Sequence, residues 1–547
     1  MTADPPTRRR VRRVGDTALL AEVDGPRPAR ALAAAVTAAG WAEEVVIGLR
    51  SVLVVYDPAA VSPADAAEAL AALPPVDLRG EVPREVRVPV AFGGPDTDDV
   101  CRLAGVGPDE LVDLFTDAVL EVAVVGFSPG FPYLTGLPDA LCRVPRRDQP
   151  RVNVPAGSVA LAGGFAGIYP QPTPGGWQLV GRTDLTLFDP HVPPYALLRA
   201  GDRVRFELAV STRITPSTTT PTGPGTRPPW SPPPGVPEAF VVEQPGLLTV
   251  VQDGGRRGLA YAGVPRAGPA DPLAHGLANR LVGNPVEAAA LEVTAAGPVL
   301  RCTTAGHLAV VGGQAAVSID GHPVGSGHVV PVAAGQRVSI GAVGDALRSY
   351  VAWAGGLVVP TVAGSRSTDR LSGVGPGPLI VGDRIGAGPA AGSLHDHLAG
   401  PRPADHTTFR VLPGPHPEWF PADVLDMLAA ADLVVGDASD RVGLRLRPSR
   451  PVQRRSGELD SQGMVTGAVQ VPPDGHPVVL GPDHATLGGY PVAAVVIGAD
   501  RWKLGQCRPG DRVRLLPVSE AAAADARAAA SRLLDTAPVG CYPVVAG

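Results

Sequence analysis

The sequence predicts a mainly β protein with α+β character, built from small barrels and a small N-terminal α/β unit. A stretch rich in Gly, Pro and single aromatic residues alternates with short apolar runs over residues 154–190, and a looser copy spans 466–515. Both copies contain a Gly-Gly-aromatic turn, Gly175-Gly176-Trp177 and Gly488-Gly489-Tyr490. Both end in Gly-Asp-Arg-Val-Arg, which begins at Gly201 and Gly510. Short strands separated by Gly and Pro turns are typical of barrels, so we interpret the two copies as related barrel segments.

Length and composition exclude several classes of protein. The 547 residues are too many for one core and indicate two to four domains. The net charge of −6 argues against a nucleic-acid partner. No apolar run is long enough to predict a membrane span, and the basic start lacks the apolar segment of a secretory signal. Five cysteines without a Cys-x-x-Cys pair favour neither disulfides nor zinc, and they suit a reducing cytoplasm.

The lysine content is informative about cofactors. Of the 47 lysine and arginine residues, one is a lysine, Lys503. A P-loop requires Gly-Lys-Ser/Thr, and a biotin carrier requires an acceptor lysine, so we expect neither a Walker-type site nor covalent biotin on this chain. A bound anion would have to be held by arginine, by backbone N–H groups or by a metal.

The order of predicted elements divides the chain into six parts. The first predicts strand–helix–strand–strand–helix, as in a ferredoxin-like unit, with Ser62 as helix cap and Pro63 in the first helical position. Residues 211–237 include 22 Ser, Thr, Pro or Gly among 27 and predict a linker. The expected parts are an α/β unit at 1–84, a barrel at 85–210, the linker at 211–237, a part dominated by strands and turns at 238–400, a barrel at 401–518, and a helix with a tail at 519–547.

Four helices are predicted outside the first part. One spans Pro108 to Glu121, one follows a cap at Asp271 and stops at Gly283, one starts at Asn284, and an Ala-rich one covers Ser519 to Leu534. His395 and His397 do not complete a coordination shell, so no metal site is predicted.

One short motif invites a catalytic interpretation that we reject. Gly126-Phe127-Ser128-Pro129-Gly130 matches the Gly-x-Ser-x-Gly pattern of a nucleophile elbow. The elbow uses the N–H of the residue after the serine as an oxyanion donor, and Pro129 has none. We therefore predict a rigid aromatic loop at the mouth of a barrel.

Longer motifs make both halves recognisable. The first half, with VVGFSPGFPYLTGLP, VNVPAGSVALAGG, GIYP and TPGGWQLVGRT, resembles allophanate hydrolase subunit 1, or the B subunit of 5-oxoprolinase, the family that includes KipI. The second half, with TVVQDGGRRGLAYAGVPRAGPADPLAHGLANRLVGNP, AGSRST, SDRVGLRL, GAVQVPPDGHPVVL and LGGYPV, is similar to allophanate hydrolase subunit 2, the C subunit of 5-oxoprolinase or KipA. Together these families form the carboxyltransferase domain of urea carboxylase. The resemblance implies cyclophilin-like β-barrel subdomains, one in the first half and two in the second.

The resemblance implies three alternative functions. The leading one is a component of an ATP-dependent lactam or amide hydrolase that converts 5-oxoproline to glutamate with a separate partner, the 5-oxoprolinase A subunit. ATP, with magnesium, would be bound by this chain or by that partner. The second is a carboxyltransferase component that acts with separate biotin proteins, and the third is a KipI- or KipA-like regulator of a histidine kinase. Self-association into a homo-oligomer is left open.

Candidate site residues come from the same motifs. Asp253, Asp483 and His484 are expected to polarise water or a substrate N–H. Arginine forks suit carboxylate or phosphate, and aromatic side chains suit a pocket wall; the residues selected to bind substrate or phosphate are Arg182, Arg256, Arg366, Ser158, Tyr169, Trp177 and Tyr490. The alternative for each arginine is an ion pair at a barrel corner, and the alternative for the aromatic residues is barrel core. Asp271 and Asp474 are more simply a helix cap and a turn former.

Several positions depart from the family motifs. Phe165 and Ala166 stand before GIYP where Gln-Thr is expected, Ala485 begins the segment before GGYP, and Gln462 replaces an acidic residue. These changes remove polar or charged groups. We expect them to affect the substrate or the activity rather than the fold.

Overall fold

The N-terminal unit is a four-stranded antiparallel sheet with two helices. The structure, a computed structural model, describes residues 9–209, 227–390, 392–397, 405–535 and 539–542. The sheet has the order Val11–Arg13, Ala18–Glu22, Ser51–Tyr56, Ala42–Ile47, and the helices are Pro26–Ala39 and Pro63–Ala72. The predicted cap is confirmed, because the Ser62 side chain accepts a hydrogen bond from the Asp65 backbone N–H.

The first barrel is a closed sheet of seven strands from residues 85–208. Its first and last strands, Glu85–Phe92 and Arg203–Leu208, pair in parallel. The other strands are Leu120–Val125, Pro132–Thr135, Ser158–Ala162, Phe165–Ile168 and Gln178–Arg182. Helices Thr97–Ala104, Pro108–Asp117 and Asp139–Cys142 and the strand pair Arg151–Val154 with Thr173–Gly175 complete it.

The predicted helix from Pro108 to Glu121 is too long at its C-terminal end. The helix ends at Asp117, and Leu120 begins a barrel strand. Leu120 pairs with Val204, and Glu121 pairs with Arg203 and Thr135. Tertiary pairing therefore overrides the helical pattern, and the Val-rich composition of Leu120–Val125 suits a strand.

The second barrel repeats the first. It is a closed sheet of seven strands from residues 408–517, and its first and last strands, Thr408–Pro413 and Arg512–Pro517, also pair in parallel. The last strand of each barrel follows the Gly-Asp turn, so the predicted relation between the two segments is confirmed in their topology. The other strands are Leu433–Val435, Gly443–Pro448, Ala468–Gln470, Val478–Leu480 and Val492–Val496; helices are Pro417–Trp419, Val424–Ala430, Gly498–Gly505 and Glu520–Asp535, and Gln462–Gly463 pairs with Leu487–Gly488.

Between the barrels, the chain forms a central double sheet from residues 238–387. The seven-stranded sheet contains Glu238–Gln244, Val299–Cys302, Ala315–Ile319, His322–Pro323, Arg337–Val343, Leu357–Val358 and Arg384–Ala387. The five-stranded sheet contains Leu248–Gln252, Ala290–Thr294, Gly306–Gly312, Val329–Val332 and Arg348–Trp353. One hydrophobic core joins both sheets. The short helix Ala260–Ala262 and the helix Pro272–Leu281 lie between strands, and Leu394–His397 pairs with Val539–Tyr542.

Two predicted helix starts in this region have different outcomes. Asp271 caps the helix Pro272–Leu281 by accepting from the Ala274 backbone N–H, as expected. Asn284 does not begin a helix, so that prediction is wrong. Its amide donates instead to the Trp353 carbonyl at 2.8 Å and its oxygen accepts from Gly355 N–H, which ties a turn to the neighbouring strand.

The N-terminal unit and the two barrels share a hydrophobic core. Leu53 of the N-terminal unit, Phe131 and Trp177 of the first barrel, and Leu487 and Val495 of the second belong to one buried cluster. The N-terminal unit therefore packs against both barrels. Within the described ranges, no helix has the length and apolar character needed to cross a membrane.

Candidate functional site

A cavity of about 410 Å³ lies between the first barrel and the second. We call it the inter-barrel cavity. Both Gly-Gly-aromatic turns line it, one from each barrel, so both halves of the chain contribute to it. Its lining residues are Phe127, Phe131, Tyr133, Arg146, Arg147, Pro150, Tyr169, Pro174, Gly175, Gly176, Trp177, Glu458, Leu459, Ser461, Gln470, Leu487, Gly488, Gly489 and Tyr490.

Edge-to-face aromatic packing builds one wall of this cavity. The Phe131 ring centroid lies 5.2 Å from Tyr133, 5.1 Å from Tyr169 and 5.5 Å from Trp177. Such contacts fix ring orientation beyond simple area burial. Burial raises the pKa of Tyr169 to about 12, so its hydroxyl is neutral and can donate a hydrogen bond. The wall is therefore rigid and mostly apolar.

A glycine makes room for this wall. A Cβ on Gly175 would lie 2.4 Å from the Tyr169 hydroxyl oxygen, closer than real Cβ contacts. The next residue, Gly176, has its nearest neighbour 3.6 Å from the position of a Cβ. The first glycine of the turn is therefore required by the Tyr169 ring, and the second is not required by packing.

Charged and amide groups complete the lining. Arg146 of the first barrel forms an ion pair with Glu458 of the second, with Nη1 and Oε2 3.0 Å apart. Arg147 donates to Asp96 at 2.7 Å, and its buried Nε has no hydrogen-bond partner among the described residues. The Gln470 amide donates to the weak acceptor Met464 Sδ at 3.3 Å. Arginine and amide groups beside an aromatic wall can orient a small planar molecule that carries a carboxylate or an amide.

The structure brings three predicted residues into this cavity: Tyr169, Trp177 and Tyr490. Ser158 and Arg182 instead lie opposite each other on neighbouring strands of the first barrel. Ser158 Oγ donates to the Pro155 carbonyl at 2.7 Å, which closes a turn. These two residues therefore support the barrel beside the cavity.

Asp253, Arg256 and Arg366 form a polar corner in the central double sheet. The Asp253 carboxylate accepts hydrogen bonds from Arg366 N–H at 2.6 Å and from the Ser367 hydroxyl at 2.7 Å. Burial alone would raise the pKa of Asp253, but hydrogen bonds from Ser365, Arg366 and Ser367 outweigh it and hold the pKa below its usual value. The Arg256 guanidinium donates to the Val362 and Ser367 carbonyls. This corner is a folded turn in which the Asp253 carboxylate is fully hydrogen-bonded, whereas Arg256 Nη1 is buried without a hydrogen-bond partner among the described residues.

Asp483 and His484 have different surroundings although they are adjacent. Asp483 is completely buried and accepts two hydrogen bonds from Arg441, at 2.8 and 2.7 Å. His484 lines a second, smaller pocket, and its Nδ1 lies 2.7 Å from the Ala485 carbonyl. Asp253, Asp483 and His484 are thus absent from the lining of the inter-barrel cavity.

One departure from the family motifs, Phe165, packs against the aromatic wall. The Phe165 ring contacts Tyr133 at 5.9 Å, and Ala166 is buried between neighbouring strands. Gln462 is buried and lies 2.7 Å from the His416 ring. Sequence reasoning missed Arg146, which follows no recognised motif. The Val-Pro-Arg-Arg loop that contains it gives no signal until the barrels are assembled.

The geometry defines a class of protein: two related seven-stranded barrels, one from each half of the chain, with a cavity between them. Comparison with known families agrees. The family described as "Carboxyltransferase domain, subdomain C and D" matches residues 9–198, and "Carboxyltransferase domain, subdomain A and B" matches residues 262–517. The chain belongs to this carboxyltransferase-domain family, which includes the C subunits of 5-oxoprolinase.

Individual relatives cover the two halves separately. The chain is 35% identical to the 5-oxoprolinase C subunit of Escherichia coli (strain K12) over 285 residues, 52% of this chain and 92% of that protein. It is 46% identical to the 5-oxoprolinase B subunit of Bacillus subtilis (strain 168) over 126 residues. These residues cover 22% of this chain and 52% of that protein. The crystal structure of TTHA0988 matches 93% of this chain and all of its own, with 35% identity and a TM-score of 0.80.

Proposed function

We propose that this chain is a fused B and C component of an ATP-dependent 5-oxoprolinase-type hydrolase, which opens a lactam with the help of a partner similar to the 5-oxoprolinase A subunit. The observation that carries the proposal is the inter-barrel cavity, because residues of both halves line it. The relatives of the two halves bear the names of two subunits of one enzyme. Fusion keeps the two halves of such a shared site at equal amounts and at high effective concentration.

In the proposed reaction, the cavity binds 5-oxoproline. Trp177 and Tyr490 pack against the lactam ring, and Arg147 binds the carboxylate. An amide carbonyl is a poor electrophile, so the γ-phosphoryl group of ATP is transferred to the lactam oxygen. ADP leaves in this transfer. Water then attacks the former carbonyl carbon, the C–N bond breaks with a proton passing to the nitrogen, and an acyl phosphate forms; a second water hydrolyses it to glutamate and inorganic phosphate. ATP and its magnesium are bound by this chain or by the partner, and no covalent biotin takes part.

The decisive experiment mixes the full chain with a 5-oxoprolinase A subunit, MgATP and 5-oxoproline. We expect glutamate and ADP in equal amounts, and neither product when any one component is omitted. The same A subunit, mixed with B and C subunits with which it is active, serves as the positive control. If that control releases glutamate and this chain does not, the proposal is wrong.

A second candidate is a carboxyltransferase component that acts with a separate biotin carrier. The description of the matching family favours it. Its test supplies a carboxylated biotin carrier and measures transfer of labelled carboxyl to an amide such as urea. Transfer without ATP-dependent glutamate release would favour this candidate over the lactam hydrolase.

A further inference from the structure

A second pocket lies where three parts of the chain meet. Its volume is about 100 Å³, and we call it the junction pocket. Arg266, Thr466 and Arg501 also line a neighbouring cavity of about 310 Å³, so their side chains separate the two spaces. The N-terminal unit, the segment 257–266 and the second barrel each contribute; the lining residues that the argument uses are Thr17, Glu43, Arg266, His484, Thr486 and Arg501.

Arg501 is a partly buried cation that pairs with no carboxylate within 4.0 Å among the residues that the structure describes. One of its Nη atoms donates to the Thr17 hydroxyl at 2.6 Å, and its Nε is buried without a hydrogen-bond partner there. Burial lowers the pKa of Arg501 from its usual value. Arginine side chains in proteins remain protonated at neutral pH. The buried Arg441, in contrast, is paired with Asp483 and with Glu292. Asp16 and Glu43 act on Arg501 electrostatically without contacting it. A partly buried guanidinium with no carboxylate in contact favours an anion at its unpaired N–H groups.

The other polar groups around the pocket can also donate. The Thr486 hydroxyl oxygen is buried and has no partner among the described residues. The Arg266 side chain is 44% exposed, and Glu43 approaches it only to 3.7 Å. Three separate donors therefore surround one small space, which is the arrangement that oxygen anions require.

The acidic neighbours do not cancel this preference. The Glu44 carboxylate already accepts the N–H groups of Gly258 and Ala260, at 2.8 and 3.0 Å. Glu43 shares its charge between Arg257 and Arg266 at 3.8 and 3.7 Å. Burial lowers the pKa of His484, which is therefore neutral at pH 7 and adds no competing positive or negative charge.

We propose that the junction pocket binds a compact oxoanion, a carboxylate or a phosphoryl group, between the guanidinium groups of Arg501 and Arg266. Thr486 donates a further hydrogen bond to the same anion. This site is separate from the inter-barrel cavity and does not rest on the hydrolase proposal. The phosphoryl group would come from free phosphate, and the carboxylate from a small organic acid. The experiment below distinguishes these two ligands.

The test uses calorimetric titration of the full chain, without ATP or a partner, with inorganic phosphate and with 5-oxoproline. We expect at least one of these anions to bind, and we expect 2-pyrrolidinone, which has the same ring without the carboxylate, not to bind to this pocket. Arg501→Gln should weaken anion binding at least tenfold, and Arg266→Gln should weaken it severalfold. Arg87→Gln, which removes an exposed arginine of the first barrel, is the matched control and should leave binding unchanged.

The background variant Tyr490→Ala separates the two sites. Anion binding that persists in Tyr490→Ala and is lost in Arg501→Gln belongs to the junction pocket. If phosphate is the anion that binds there, the pocket is a phosphoryl site; if 5-oxoproline binds, the pocket is a site for an organic acid. If Arg501→Gln does not fold, the largely exposed Arg266 decides the result alone. The proposal is overturned if neither anion binds, or if binding survives in the folded arginine variants.

Discussion

Arg441 of the second barrel donates to Glu292 of the central double sheet at 2.7 Å, and both side chains are almost completely shielded from water. The same guanidinium donates twice to Asp483. Burial alone would raise the pKa of Glu292, but Arg441 and Arg348 outweigh it and hold the pKa below its usual value. One arginine therefore joins two parts of the molecule through two buried carboxylates.

Replacement of Arg441 with Met should lower the free energy of unfolding by about 3–5 kcal/mol, because Asp483 would remain buried without its arginine and Glu292 would keep only Arg348. Urea unfolding followed by circular dichroism measures the change. The control is Arg447→Met in the same barrel, whose ion pair with Asp437 is exposed and should contribute less than about 1 kcal/mol. Equal losses in the two variants would contradict this account of the buried network.

The first glycine of the Gly-Gly-Trp turn should be far less tolerant than the second. A methyl group at Gly175 must displace the Tyr169 ring, whose hydroxyl lies 2.4 Å from the Cβ position, whereas the nearest atom at Gly176 is 3.6 Å away. We expect Gly175→Ala to destabilise the protein by about 1–3 kcal/mol, the usual cost of overpacking. Gly176→Ala should change stability by less than about 1 kcal/mol. Thermal unfolding of the two variants side by side tests the difference.

The repeat and its aromatic turns could be predicted because they depend on local sequence. Gly, Pro and aromatic residues at fixed spacing determine turns and short strands, and both barrels close with the same parallel strand pair. The helix caps at Ser62 and Asp271 could be predicted for the same reason, since each side chain accepts a hydrogen bond from a backbone N–H three residues further along the chain. Local signals of this kind require no knowledge of the assembled fold.

Long-range contacts explain what the sequence did not reveal. Arg501 and Thr17 are separated by 484 positions in the chain and meet only because the N-terminal unit packs against the second barrel. Asn284 is a residue type that often caps helices, yet its side-chain amide donates a hydrogen bond to the carbonyl of Trp353 on a distant strand. The pattern from Pro108 continues past Asp117, but barrel pairing ends the helix there. In each case, a tertiary partner decided between two locally acceptable structures.

Tyr490 provides a direct test of the inter-barrel cavity. It lines the cavity but is only partly buried, so its removal should not unfold the protein. We expect Tyr490→Ala to lower kcat/KM for 5-oxoproline about tenfold, equivalent to about 1.4 kcal/mol, mainly through a higher KM. Tyr261→Ala removes an exposed tyrosine that does not line the cavity, and it should leave kcat/KM and KM unchanged. Unchanged kinetics in Tyr490→Ala would remove this cavity as the lactam site.

His416 should make stability depend on pH between about 6.5 and 4. The ring is 4% exposed, and its Nδ1 accepts the Val492 backbone N–H at 3.0 Å. Because Nδ1 is an acceptor, the neutral ring carries its proton on Nε2, 2.7 Å from the Gln462 side-chain amide; the amide oxygen must therefore face the ring to accept this proton. Burial lowers the pKa of His416 to about 4.

The sign of this dependence follows from proton binding. Above about pH 6.5 the ring is neutral in both states; as the pH falls towards 4, the unfolded chain binds a proton that the folded chain does not. His416 should therefore cost up to about 3 kcal/mol of stability over that range, since each pKa unit corresponds to about 1.4 kcal/mol. Asp369 acts in the opposite direction, because burial raises its pKa to about 6.

The contribution of His416 is therefore measured as a difference in unfolding free energy between the wild type and His416→Gln. Both proteins are unfolded at pH 7 and at pH 4.5, and the exposed His476→Gln is the control. The difference in unfolding free energy between the wild type and His416→Gln should become smaller as the pH falls. A difference that stays constant would show that burial does not hold His416 neutral.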